Sequence, residues 1–148
     1  MFNIPDDVAY LNTAYMSPLL NSVITSIDGG ARLKSQPWRL SIPDFYEQVD
    51  QARLLFSKLI NVDPQNLAIV PSTSYGIQTA ANNLKLGKKK KILLIENQFP
   101  SNVYPWKRLA NKSDCSIRFV ETIENETITD SILREMDESC ALVAVPNV

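Results

Sequence analysis

From Leu67 onward the chain alternates between two kinds of apolar pattern. Four runs, LAIV (Leu67–Val70), KILLIE (Lys91–Glu96), SIRFVE (Ser116–Glu121) and ALVAVP (Ala141–Pro146), are short, β-branched-rich and nearly unbroken. Continuous hydrophobicity, rather than alternation, is what a strand covered on both faces requires. Three helical spacings lie between them. Ile77, Ala80, Ala81 and Leu84 share one helix face, VYPWKRLAN (Val103–Asn111) follows a Ser101–Asn102 pair suited to capping, and Ile128, Ile132 and Met136 recur at steps of four. This order predicts right-handed βαβ crossovers and a mainly parallel α/β sheet.

A helical preface comes first. Ser17–Pro18 reads as the cap and first turn of a helix running to about Ser35, weakened by about 1 kcal/mol for each of Gly29 and Gly30. A second helix is predicted from about Pro43 to Ile60, with Phe45, Val49, Ala52, Phe56 and Leu59 on one stripe. The organisation expected is therefore an N-terminal segment with helices over residues 1–62, then an α/β part over 63–148. The last apolar run stops without a following helix, so the sheet reads as incomplete and the chain as a fragment.

Composition narrows the partners. Fifteen basic and 16 acidic residues give a net charge of −1, which offers no global attraction to nucleic acid or an anionic membrane. The one basic run, Lys88–Lys91, has no interleaved aromatics and reads as a solvated loop entering a strand. Cys115 and Cys140 head apolar runs, as small buried strand residues do. Histidine is absent, which removes Ser-His-Asp and Cys-His catalysis and histidine-ligated metals from these 148 residues. The start, MFNIPDDVAYLN, has neither a basic nor an apolar leader region, and no run reaches membrane-span length. A cytoplasmic location is the expectation.

Ligands of open α/β sheets sit beyond the carboxyl ends of the strands, and two loops there carry chemistry. In PSTSYGI (Pro71–Ile77) the hydroxyls of Ser72, Thr73 and Ser74 stand where a helix begins, with Gly76 keeping its first turn slim. They serve either as plain N-caps or, with the helix N–H groups, as a phosphate cradle. In NQFPSNVYPW (Asn97–Trp106), Asn102 is placed to cap a helix with Pro105 at its third position. Phe99 precedes that helix. It is either core beneath a loop or a ring presented to a planar cofactor.

Three ordered motifs, YLNTAYMSPL (Tyr10–Leu19), PSTSYGIQTAANNL (Pro71–Leu84) and ENQFPSNVYPW (Glu96–Trp106), resemble the N-terminal motifs of the class V aminotransferase family. These are pyridoxal-phosphate (PLP) enzymes of fold type I, including cysteine desulfurases, selenocysteine lyases, kynureninases and isopenicillin N epimerase-like proteins. The resemblance continues through YEQVDQARLLFSKLINVDPQNLAIV (Tyr46–Val70). It implies the first half of a fold type I large domain, PLP as cofactor, an amino-acid substrate, and a homodimer or pairing with a homologue.

Carried over by residue, the resemblance gives Thr73 and Ser74 the phosphate oxygens, with Ser72 where a glycine or small residue is frequent. Phe99 takes the position that stacks on the pyridine ring, and Ala14 and Tyr15 lie near the substrate entrance. In cysteine desulfurases the stacking residue is histidine; phenylalanine matches kynureninase-like members and argues against a desulfurase. The family's aspartate for the pyridine nitrogen and its Schiff-base lysine lie beyond VAVPNV (Val143–Val148), so no catalytic residue is assigned within this chain. The family's nucleophilic cysteine is also downstream, and neither Cys115 nor Cys140 inherits its role. In fold type I the LAIV strand pairs with a downstream strand, so an exposed edge and marginal stability are expected of the chain alone.

Three functional readings follow. The leading one is the N-terminal part of a PLP-dependent enzyme of this family. A second is a non-catalytic remnant or pseudoenzyme that partners a full-length homologue. The third is an unrelated α/β phosphate-binding module that needs only the Ser72–Ser74 loop.

Overall fold

The computed structural model describes residues 1–146, so the end of VAVPNV lies outside the described residues. The chain divides into two compact units, Met1–Ile69 and Val70–Val148.

The first unit holds helices α1 (Asn21–Lys34) and α2 (Glu47–Ile60), with 3-10 turns at Pro37–Arg39, Pro43–Phe45 and Pro64–Asn66. Ser17–Pro18 does not cap α1. An antiparallel bridge holds Leu20 against Phe2, and Asn21 N–H donates to Met1 O, so the chain is still extended at Leu20 and the helix starts one residue later. The second helix also begins later than its spacing predicts. Asp44 accepts from the Ser41 N–H and hydroxyl at 2.7 and 2.6 Å, which favours a separate 3-10 turn at Pro43. Its end is sharp, because Asn61 adopts left-handed backbone (φ 54°) and donates its N–H to Ser57 O. The stripe of Phe45, Val49, Ala52, Phe56 and Leu59 has the predicted spacing but stays exposed, Leu59 at 78%. Ser57 is the one buried residue among the described residues of this unit.

LAIV is not a strand. Leu67 is extended, but Leu67–Val70 joins no ladder among the described residues, and Ile69 is 54% exposed. An extended apolar run becomes a strand only when a neighbour takes up its backbone hydrogen bonds.

The second unit contains α3 (Thr73–Asn83), β1 (Lys91–Ile95), α4 (Tyr104–Ser113), β2 (Ser116–Val120), α5 (Ile128–Glu135) and β3 (Cys140–Ala144). Three of the four predicted strands thus form, in the parallel order β2-β1-β3. The central strand carries the core: Ile92, Leu93 and Leu94 are fully buried. Each such side chain contributes about 1.5–3 kcal/mol relative to exposure. Ile92 and Leu94 pair with Ile117 and Phe119 of β2, and with Leu142 and Ala144 of β3. Ala81 of α3 and Trp106, Leu109 and Ala110 of α4 pack on this face. Along β3 the register slips at Ala141, which lies between the partners of Lys91 and Ile92.

Arg118 occupies the alternate face of β2, in register with Leu93. Its guanidinium forks onto Glu135 at 2.9 and 3.1 Å and ties α5 to the strand. Cys115 and Cys140 are free and half-buried rather than buried; the Cys115 thiol donates to Gly87 O at 3.2 Å. The lysine run is a turn leading into β1, as its composition predicts. Among the described residues, no helix is long and apolar enough to cross a membrane.

Candidate phosphate and ring site

Parallel strands put the carboxyl ends of β1, β2 and β3 on one side of the sheet. The hydroxyl loop feeds α3 directly. Ser72 is extended and its Oγ accepts from Tyr75 N–H at 3.2 Å, while its carbonyl accepts from Gly76 N–H at 3.1 Å. Ser72 is therefore the N-cap. Thr73 and Ser74 keep both their N–H and their hydroxyl donors without a partner among the described residues, and both are exposed. Two adjacent residues thus present four donors at the positive end of a three-turn helix, an arrangement that suits an anion. Gly76 is not needed for slimness: an added methyl would meet Val70 Cγ2 at 3.5 Å, an ordinary contact.

The second loop leaves β1 through Asn97, whose φ of 56° is left-handed. Phe99 is extended, as the residue before a proline must be, and Pro100–Asn102 forms a 3-10 turn. Phe99 is 60% exposed among the described residues. Asn102 does not cap α4. Its Oδ1 accepts from the buried Trp106 indole N–H at 3.1 Å, Val103 holds the cap position without a side-chain bond, and Pro105 falls within the first two helical positions. Satisfying a buried indole N–H outweighs capping an exposed helix end.

α3 packs against α4 and the 3-10 turn, so the two loops meet. Between them lies a depression of about 650 Å³ lined by Ser72, Ser74 and Tyr75 from one loop and Pro100, Ser101 and Tyr104 from the other, with Gln78 and Arg108 below. Among the described residues no carboxylate lines it. Thr73 and Phe99 are not part of this lining, although each is the chain neighbour of a residue that is. Ala14 and Tyr15 belong to the other unit, in a turn closed by Met16 N–H on Asn12 O and by the Tyr10 hydroxyl on Met16 O at 2.6 Å. Tyr104 and Arg108 escape the sequence reading. Their signal was the three- and four-residue steps from Ser101, which put Ser101, Tyr104 and Arg108 on one side of the turn and helix.

The chain belongs to the class-V aminotransferase family, whose model matches residues 31–148. It is 27% identical over 115 residues to an uncharacterized aminotransferase, YcbU, of Bacillus subtilis, covering 78% of this chain and 29% of that protein. It is 27% identical over 112 residues to isopenicillin N epimerase of Streptomyces clavuligerus, covering 75% of this chain and 28% of that one. The chain therefore spans less than a third of the length of these relatives. Among solved structures, a C-DES mutant with glycine covalently linked to its PLP cofactor superposes with a TM-score of 0.78 at 17% identity, covering 93% of this chain and 37% of the other. An apo cysteine desulfurase from Thermococcus onnurineus gives 0.72 at 18% identity, covering 92% and 36%. At such identities these superpositions establish the fold: α/β, with helices followed by parallel strands, as in PLP enzymes of fold type I.

Proposed function

We propose that this chain is the N-terminal part of a PLP-dependent, class V aminotransferase-like enzyme acting on an amino-acid substrate. The carrying observation is the set of open donors on Thr73 and Ser74 at the start of α3. In this reading Thr73 and Ser74 hold the cofactor phosphate, Ser72 fixes the helix end that presents them, and the exposed Phe99 ring stacks on the pyridine. The residues fit the group: hydroxyl and N–H donors, a helix N-terminus, an unpaired guanidinium at Arg108 and no opposing acid favour a phosphate dianion. When bound, PLP supplies an electron sink for a carbanion at the substrate's α-carbon. The chain's own residues anchor and orient; none of its lysines is assigned to the cofactor aldehyde. Phenylalanine at position 99 offers stacking without proton transfer, which favours a kynureninase-like member over a desulfurase. Dimerisation, a cytoplasmic location and a role for Ala14 and Tyr15 at the substrate entrance belong to the same proposal.

Equilibrium dialysis of the 148-residue chain against PLP and against pyridoxal tests it. PLP should bind at least tenfold more tightly, and borohydride should trap no single lysine stoichiometrically. Equal binding of the two would remove the phosphate cradle; one stoichiometric lysine adduct would overturn the assignment of no lysine.

A further inference from the structure

A second depression, of about 430 Å³, lies between α3 and α4 and extends past their C-terminal ends to Leu86, Lys88 and Asp114. Its apolar lining is Leu84, 41% exposed, and half-buried Leu86, over the core residues Ala81 and Leu109. Four cations line it, Lys85, Lys88, Arg108 and Lys112, against one carboxylate, Asp114. None of the four makes an ion pair among the described residues, whereas Arg32, Arg53, Lys91, Arg118 and Arg134 all do.

Basic residues near helix C-termini complement the helix dipole, and this accounts for Lys112 and partly for Lys85. It does not account for the other two. Arg108 sits mid-helix in α4, and Lys88 lies five residues beyond the end of α3. The lysine run is also divided by the fold. Lys90 Nζ donates to Glu138 O at 2.7 Å and Lys91 pairs with Asp137 at 2.9 Å, so Lys88 is the member that lines the groove. An apolar floor beneath convergent unpaired cations, in a volume of small-molecule size, is the complement of one ligand chemistry.

We propose that this groove binds a small organic anion: an apolar body bearing phosphate or carboxylate groups. The body covers Leu84 and Leu86 while the anionic groups reach Lys85, Lys88, Arg108 and Lys112. The volume and the absence of aromatic residues from its lining favour this over a nucleic-acid strand. The groove shares Gln78, Pro105 and Arg108 with the depression beside the hydroxyl loop, but none of Ser72, Thr73 and Ser74, and the proposal does not depend on the cofactor reading.

The probe is 1-naphthyl phosphate, titrated into the ¹⁵N-labelled 148-residue chain beside 1-naphthol and inorganic phosphate. Naphthyl phosphate should shift the amides of residues 78–87 and 108–114, and bind at least tenfold more tightly than either comparison compound. Lys85→Gln/Lys112→Gln should weaken it at least tenfold. Lys85→Arg/Lys112→Arg should retain it, and Ser74→Ala should leave it unchanged. Shifts confined to residues 72–78, equal binding of naphthol, or equal loss in the Gln and Arg variants would each overturn the proposal. So would a single-stranded oligonucleotide that binds the same residues with affinity rising at each added nucleotide.

Discussion

The indole N–H of Trp106 donates to Asn102 Oδ1 at 3.1 Å, joining the most buried aromatic residue of the core to the turn that follows Phe99. Trp106 is 5% exposed, so its N–H depends on this bond in place of water. Asn102→Ala should therefore destabilise the chain by about 1–3 kcal/mol, the range for a stranded buried donor. Urea unfolding measures it. In a Trp106→Phe background, which removes the donor, the same substitution should cost almost nothing; an equal cost would show that Asn102 acts through something other than the indole.

Acid should unfold the chain through a definable set of carboxylates. The Arg118 hydrogen bond holds Glu135 below the ordinary glutamate range. The Thr127 hydroxyl lowers Asp130, and the Ser139 hydroxyl, then Lys91, lower Asp137 well below the aspartate range. Each group favours its charged form in the folded chain. Its contribution is therefore complete above the unfolded-state value, about 4.5 for glutamate, and is lost as pH falls through the lower folded-state value. The urea midpoint should be flat from neutrality to about pH 5 and fall below it. Glu135→Gln should lower the neutral-pH midpoint and make the acid slope shallower. An unchanged slope would remove Glu135 from the set.

Replacing Phe99 separates ring from fold. At 60% exposure, Phe99→Ala should alter stability by no more than about 0.5 kcal/mol. Loss of stacking is worth about 0.5–1.5 kcal/mol, so the Kd for PLP should rise severalfold. Phe99→Tyr keeps the ring and should keep the affinity. If alanine and tyrosine bind PLP equally, the ring is not a platform.

How much of this was legible depended on whether a residue's role is local or borrowed from a neighbour. KILLI, SIRFV and CALVA became strands because each apolar run lies beside another, with β1 receiving partners on both sides. LAIV has a similar composition but no ladder partner among the described residues, and composition cannot supply one. The stripe on α2 was read correctly as a period, but a period does not show what covers it. Asn102 looked like a cap because capping is a local rule; its actual partner, Trp106, lies four residues on, in the first turn of the helix, and is buried in the core. Around the depression, Ser72 and Ser74 were legible from residue type after an apolar run and do line it, whereas Thr73 and Phe99, read the same way, stand one residue outside the lining. Tyr104 and Arg108 were not legible, since only the packing of α3 on α4 gives them a cavity to line.

Whether Thr73 and Ser74 hold a phosphate is read from amide spectra of the ¹⁵N-labelled chain titrated with PLP. The largest shifts are expected at the Thr73 and Ser74 N–H groups, with Thr73→Val/Ser74→Ala weakening binding at least tenfold and leaving the unfolding midpoint nearly unchanged. Saturable PLP binding that leaves those two amides unmoved, or that survives the double substitution, would contradict a phosphate held by Thr73 and Ser74.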